Sequence, residues 1–137
     1  MYICCKSFTL FGINAVPVNV EVSITPGLAK FEIIGLPDAS IRESKERIFQ
    51  SLQACGYEIP PGNVTVNLAP AELRKKGALF DLPIALGMAM AAGYVKSSLE
   101  TQSVMMAGEL SLTGIVLPVS GIFNAAYTCS KKNIGIL

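Results

Sequence analysis

Alternating apolar and polar residues mark the strands at the start of the chain. From Val16 to Ile24, valine or isoleucine occupies every second position, with proline or a polar residue between. This period of two predicts a strand with one buried face. Segments 2–11 and 30–34 also have the composition of strands, and Gly-, Asn- or Pro-containing turns separate the three. The pattern therefore predicts an opening meander of three antiparallel strands.

Three segments have the patterns of helices. The first begins after Asp38, either with that residue as the N-cap or with a capping box of Ser40 and Glu43. Its apolar residues recur every three or four positions, which is typical of a helix with one buried face. Segment 81–94 is almost entirely apolar and predicts a central helix that begins with an N-capping Asp81, and segment 121–131 predicts a third helix.

Further strands are predicted in the second half of the chain. They cover residues 63–68, 104–110, 115–119 and 134–137, with a tight turn between the second and third and a polar connection at 97–102. Strands and helices mix without strict alternation, which favours the α+β class. At 137 residues, the chain has the length of one domain.

The composition is that of a globular chain without a strong charge. Hydrophobic residues make up 51% of the sequence and charged residues 15%, which excludes a disordered chain. Because the formal net charge is +1, binding of nucleic acid would require a local basic cluster. The longest uncharged apolar stretch, residues 82–95, is too short to span a bilayer, and the start lacks the pattern of a signal peptide. We therefore predict a cytoplasmic protein without membrane contact.

Several kinds of active site are excluded by missing residues. The chain has no histidine, so neither a Ser-His-Asp nor a Cys-His nucleophile can form. The four cysteines lack the CxxC spacing of a zinc site. The phosphate-binding pattern GxxxxGKS/T and the dinucleotide pattern GxGxxG are both absent. We predict that this chain itself holds no cofactor and no metal.

One run of residues resembles part of a protease domain. Residues 106–121 read MAGELSLTGIVLPVSG and are similar to the GELSLTGxVLPVGG stretch of the Lon protease domain. In Lon-type proteases the catalytic lysine follows the last glycine by two positions, where this chain has Phe123. The matching segment for the catalytic serine, residues 77–81, has Leu79 at the serine position. The resemblance implies a Lon-like fold, a two-layer sandwich with a mixed sheet and about three helices, without a catalytic dyad.

A more specific resemblance covers almost the whole chain. Four blocks, in order and with similar spacing, resemble the N-terminal domain of the ComM/YifB family of Mg-chelatase-like proteins: residues 31–38, 41–47, 64–71 and 77–86. This resemblance implies one Lon-like domain over residues 1–137, placed before an AAA+ ATPase module that binds ATP and Mg. It also implies a homo-hexameric ring that acts on DNA, with branch migration during recombination of incoming DNA as its role. The apolar last residues, 133–137, suggest a domain cut from a longer chain.

Two basic clusters are the candidates for contact with DNA or with a protein partner. The first helix contributes Arg42, Lys45 and Arg47, and the loop before the second contributes Arg74, Lys75 and Lys76. Such clusters suit phosphate contacts, although a solvated face or docking onto the ATPase module and neighbouring subunits explains them equally well.

Two other functions stay open at this stage. One is a residual Lon-like hydrolase that uses Ser120 with Lys131 or Lys132. The other is a role in metal insertion, which rests on the name of the chelatase family alone.

Overall fold

The strands of the computed structural model follow most of the predicted segments. The structure describes residues 2–96, 103–132 and 135–136, so the predicted connection at 97–102 lies outside the described residues. The strands are β1 (Tyr2–Phe11), β2 (Asn14–Thr25), β3 (Lys30–Ile34), β4 (Asn63–Ala69), β5 (Val104–Met105), β6 (Glu109–Leu110), β7 (Val116–Leu117) and β8 (Gly135–Ile136). The helices are α1 (Ala39–Arg42), α2 (Ser44–Ala54), α3 (Asp81–Ala91) and α4 (Ile122–Lys132).

The central sheet has the strand order β3-β4-β2-β1-β5-β8. Strands β1 and β2 pair antiparallel along the whole of β1, from Tyr2 with Ser23 to Phe11 with Asn14. The predicted meander is wrong in its third strand, because β4 lies between β2 and β3 and pairs with β3 in parallel. Strand β4 buries Val64, Val66 and Leu68, whereas β3 leaves Lys30 and Glu32 exposed. The more apolar strand therefore takes the inner position, and the charged strand forms the edge.

The segment predicted as one strand at 104–110 is two strands in different sheets. Strand β5 pairs in parallel with β1, whereas β6 forms a separate hairpin with β7. Between them the backbone leaves the sheet, where Met106 N–H donates to Lys6 O and Gly108 N–H donates to Leu79 O. A Cβ atom on Gly108 would lie 2.6 Å from a methyl group of Val116, so this crossing requires glycine.

Helices α2 and α3 form the layer that covers one face of the sheet. Helix α3 approaches so closely that a Cβ atom on Gly87 would lie 2.6 Å from a Val22 methyl group and 3.8 Å from Cys5 Sγ. Helix α4 covers the other face at one end, where Gly121 lies against Phe8 and Leu10. The α+β class and the mixed sheet are therefore confirmed. Among the described residues, no helix combines the length and hydropathy needed to cross a membrane.

The first helical segment begins at Asp38. Its Oδ1 accepts the N–H of Ile41 at 2.9 Å, so Asp38 is the N-cap rather than the capping box of Ser40 and Glu43. The backbone turns at Glu43, which divides the predicted single helix into α1 and α2.

The buried thiol of Cys5 predicts a loss of stability in alkali. Burial raises the pKa of Cys5 from 9.0 to about 11, since the folded core disfavours the thiolate. The stability that this shift contributes is complete below pH 9 and is lost as the pH rises towards 11. We expect the wild-type free energy of unfolding to fall by about 1 kcal/mol more than that of Cys5→Ala between pH 8 and pH 10. Urea denaturation at both pH values measures this, with the exposed Cys55→Ala as control. Equal pH slopes in all three proteins would contradict the prediction.

Candidate functional site

Leu79, the residue that the resemblance to Lon proteases aligns with the catalytic serine, lies at the edge of an open pocket. Leu79 is buried within the 3₁₀ turn that leads into α3, and it lines a pocket of about 360 Å³. The pocket is lined by Thr9, Leu10, Lys76, Gly77, Ala78, Leu79, Glu109, Pro118, Val119 and Ser120. Phe123, at the position of the lysine, is 83% exposed on α4 and is not part of this lining. The two positions therefore do not face each other as a dyad would.

Ser120 shares this pocket with Lys76 rather than with the lysines of α4. The ammonium of Lys131 lies 4.7 Å from the centre of the Tyr127 ring, and the side chain of Lys132 is not among the described ones. A Ser-Lys dyad requires the amine within hydrogen-bonding reach of the hydroxyl. Within residues 2–96 and 103–131, no hydrogen bond joins Ser120 to a lysine, so the predicted pair of Ser120 and Lys131 is not assembled.

Lys75, a predicted contact residue, is buried. Its Nζ donates to Gly35 O at 2.7 Å and also to Pro70 O, and burial lowers its pKa. Its backbone N–H donates to Leu36 O at 3.1 Å. The prediction that Lys75 contacts DNA is therefore wrong for this conformation, because its charge is used inside the domain to hold three segments together.

Asp38 completes this network from the other side. Its N–H donates to Lys75 O at 3.2 Å, and its Oδ2 accepts the N–H of Gly77 at 3.0 Å. Gly35 has φ +103°, and a Cβ atom there would lie 2.2 Å from Leu68 O, so another residue would clash with the sheet. The hydrogen bonds of Asp38 and Lys75 thus join residues 35–38 to the basic loop at residues 74–76. We call these hydrogen bonds the Lys75 network.

Arg47, another predicted contact residue, forms an ion pair inside the domain. Its Nε lies 2.7 Å from Asp81 Oδ2, one of its terminal nitrogens lies 3.1 Å from Oδ1, and the same nitrogen donates to Ser40 O at 2.9 Å. Asp81 is fully buried and also accepts the N–H of Leu110. Burial raises the pKa of Asp81, and the hydrogen bonds from Arg47 and Leu110 oppose that shift.

This ion pair corrects two sequence predictions. Asp81 makes no side-chain capping bond to α3, so its prediction as an N-cap is wrong. Arg47 is only 20% exposed at its side chain and points towards Asp81 rather than to solvent. The sequence contained a signal for the inward position of Arg47. Arg47 follows the buried Ser44 by three positions and precedes the buried Ile48, so it lies beside the buried stripe of α2.

The other four predicted contact residues are exposed, and two of them share a pocket. Arg42 and Arg74 line an open pocket of about 270 Å³ together with Leu36, Pro37, Asp38 and Ala39. Lys45 lines a separate pocket beside Phe31 and Phe49, and Lys76 lines the pocket of Ser120. Within the described part of the chain, neither Arg42 nor Arg74 forms a salt bridge. The structure therefore brings together Arg42 and Arg74 as a pair of free guanidinium groups.

Comparison with known families assigns the chain. The model of the family described as subunit ChlI of Mg-chelatase matches residues 20–137. The chain belongs to this family. The described residues of this ChlI-family chain contain no group of three or more Cys, Asp or Glu side chains that could hold a metal ion.

Individual relatives within the family agree with the sequence blocks. The protein YifB of Escherichia coli is 36% identical over 126 residues, which is 92% of this chain and 25% of YifB. The competence protein ComM of Haemophilus influenzae is 37% identical over 121 residues, 88% of this chain and 24% of ComM. The resemblance to ComM and YifB is therefore confirmed, and the chain spans about a quarter of the length of these relatives. The likeness to the Lon protease domain stays a prediction.

The Lys75 network predicts a strong difference between two neighbouring lysines. Lys75→Met removes the donor for two backbone carbonyls, and we expect it to lower the free energy of unfolding by about 1–3 kcal/mol. Lys76→Met changes an exposed side chain, and we expect an effect within about 0.5 kcal/mol. Urea denaturation of both variants at neutral pH measures the difference. Equal stability of the two variants would show that the network does not stabilise the domain.

We expect no peptide cleavage by the pocket that contains Ser120. The reason is that the predicted resemblance to Lon proteases aligns Leu79 with the catalytic serine, and the pocket presents no assembled Ser-Lys pair among the described residues. Casein and short peptides incubated with the wild-type chain and with Ser120→Ala should give the same background. Cleavage that disappears in Ser120→Ala would reject this expectation and support the hydrolase alternative.

Proposed function

We propose that this chain is an accessory, non-catalytic domain of a longer Mg-chelatase-like ATPase and that it contacts DNA phosphates through Arg42 and Arg74. The observation that supports this proposal is the shared pocket of the two arginines, whose guanidinium groups have no salt-bridge partner among the described residues. A guanidinium group binds phosphate oxygens with two parallel hydrogen bonds, so a free pair suits two neighbouring phosphates.

The position of the two arginines supports a preorganised contact. Arg42 ends α1, which Asp38 caps, and Arg74 precedes Lys75 in the loop that the Lys75 network holds. Both backbones are therefore tied to the same set of hydrogen bonds. Asp38 lines the pocket as well, but both of its oxygens already accept backbone N–H groups of Ile41 and Gly77. Because the backbones are already held, binding costs only the conformational entropy of the two side chains.

Because the chain has almost no net charge, the contact with DNA is limited to a small part of its surface. The whole chain carries a formal net charge of +1, so it provides no extended basic surface. Affinity through two phosphate contacts is weak and falls with salt, which suits a domain that guides DNA while a separate motor moves it. Lys45 and Lys76 are also exposed, each in a different pocket, and they extend the contact if the DNA passes over them.

The family supports the larger context of this proposal. Relatives about four times as long leave room for the AAA+ module, with its ATP and Mg, outside residues 1–137. The residues of this chain do not fit such a site, since the phosphate-binding pattern is absent from the sequence. The relative from Haemophilus influenzae is named as a competence protein, and that name supports a role with incoming DNA. We therefore propose a cytoplasmic homo-hexameric ring that migrates branches of incoming DNA during recombination.

Binding of DNA by the chain and by an arginine variant tests the proposal. We expect the double variant Arg42→Ala/Arg74→Ala to bind a fluorescent DNA oligonucleotide at least about tenfold more weakly at low salt. The slope of log K against log salt should become shallower by about 1 for each phosphate that the variant no longer binds. Lys96→Ala/Lys131→Ala is the matched control, because it also removes two exposed positive charges and neither lysine lines the pocket of Arg42 and Arg74.

Two results would reject the DNA contact. One is the absence of binding by the wild-type chain at about 50 mM salt, where phosphate contacts are strongest. The other is an equal weakening in the arginine variant and in Lys96→Ala/Lys131→Ala, since that would indicate a general effect of net charge. In either case, docking within the ring becomes the role that the remaining observations favour.

A further inference from the structure

Exposed apolar side chains gather on one side of the domain, at the end of the β1–β2 hairpin. They belong to three segments, the hairpin turn, β7 and the first turn of α4. We call these residues the apolar surface: Phe11, Ile13, Val116, Leu117, Ile122 and Phe123. Isolated exposed apolar residues are common in proteins, but a cluster of this kind marks a contact surface.

The three segments form one continuous surface. The side-chain amide of Asn124 donates to Ile13 O at 2.5 Å, which joins α4 to the hairpin turn. Gly121 lies against Leu10, so the start of α4 has no gap to β1. Val116 and Leu117 line a hollow of about 350 Å³ together with Ile122, which joins β7 to α4.

The segments that form the apolar surface contain no charged residue. Residues 7–20 and 110–130 contain no Asp, Glu, Lys or Arg, while Lys76 and Glu109 line the adjoining pocket with Pro118 and Val119. The six side chains of the apolar surface therefore offer nothing that pairs with DNA phosphates or with the charged groups of an acidic or basic partner. Its occupant must itself be apolar and uncharged, and the apolar surface of a second copy has this chemistry.

The extent of the surface matches an interface between proteins. From their exposed fractions, the six side chains together expose on the order of 600 Å², taking about 150–200 Å² for each large side chain. The largest apolar patch on a typical monomer covers about 300–600 Å², and a stable interface buries about 800 Å² on each partner. With the surrounding backbone and polar rim, this surface approaches the size that a stable interface needs.

The surface also carries both halves of a complementary contact. Phe123 is 83% exposed and projects from α4 as a knob, and the hollow beside it is lined by Ala107, Val116, Leu117, Pro118, Val119 and Ile122. We infer that the apolar surface is the contact between two copies of this chain, with Phe123 of one copy seated in the hollow of the other. This inference rests on the assembly of copies in the proposed function and is independent of the DNA contact.

Sedimentation equilibrium of the chain tests the inference. We expect wild-type self-association over roughly 1–500 µM, the range in which an interface of this size associates. Phe123→Ser should weaken it by at least about tenfold, because the knob lies at the centre of the contact. Leu28→Ser is the matched control, since Leu28 is 92% exposed in the turn between β2 and β3, outside the apolar surface. Circular dichroism confirms that each variant is folded.

A mixing experiment tests the knob and the hollow separately. Val116→Glu places a charge in the hollow and should also weaken association, while its Phe123 stays intact. An equimolar mixture of Phe123→Ser and Val116→Glu keeps one intact knob and one intact hollow, so it should associate more strongly than either variant alone. Self-association through apolar side chains should persist at about 1 M salt, because salt screens only the interactions between exposed charges.

Three outcomes would overturn the inference: a wild-type chain that stays monomeric throughout, equal association of Phe123→Ser and Leu28→Ser, or no increase on mixing. The arginine variants distinguish this failure from that of the DNA contact, because Arg42→Ala/Arg74→Ala should release DNA and keep association. Loss of both properties in that variant would indicate misfolding, which circular dichroism detects.

Discussion

The carboxylate of Asp81 is fully buried, and the arrangement of the helices depends on its partners. Removal of a carboxylate from water is costly unless charge and hydrogen bonds compensate it, and here Arg47 and the N–H of Leu110 do so. These two contacts come from α2 and from β6, so one side chain at the start of α3 fixes the positions of both. A buried pair of this kind adds little net stability, but loss of either partner leaves an uncompensated charge. The pair therefore links α2, α3 and β6 through one carboxylate.

The Lys75 network joins two loops, as the ion pair of Asp81 joins α2 to α3. A buried ammonium that donates to backbone carbonyls of two segments holds the loop of β3 against the loop that follows β4. Two of the six basic residues that suggested a binding surface, Lys75 and Arg47, are occupied by internal contacts. Arg42 and Arg74 are left as the free pair, on backbones that the internal charges hold in place. Structure and proposed function are thus connected through the same loop.

The exposed surface of the domain divides into two chemically different regions. One carries the two arginines beside α1, and the other is the uncharged apolar surface around Phe123. Salt weakens contacts through the first and leaves contacts through the second largely unchanged. If both proposals hold, the two regions allow the domain to bind a charged ligand and a second copy of itself at the same time.

The sequence alone determined the elements, the α+β class and the family, because these depend on local periodicity, turn residues and ordered blocks that tertiary contacts only reinforce. The alternation in β2 and the apolar character of α3 are local properties, whereas the structure chose Asp38 over the capping box as the N-cap. The tertiary structure decided the insertion of β4 beside β3, the division of segment 104–110, the burial of Lys75 and the ion pair of Arg47 with Asp81. Each of these depends on a partner distant in sequence, such as Asp81 for Arg47 at a separation of 34 residues. A charged residue has the same local signature on a surface and in a buried ion pair, so only its partner distinguishes the two.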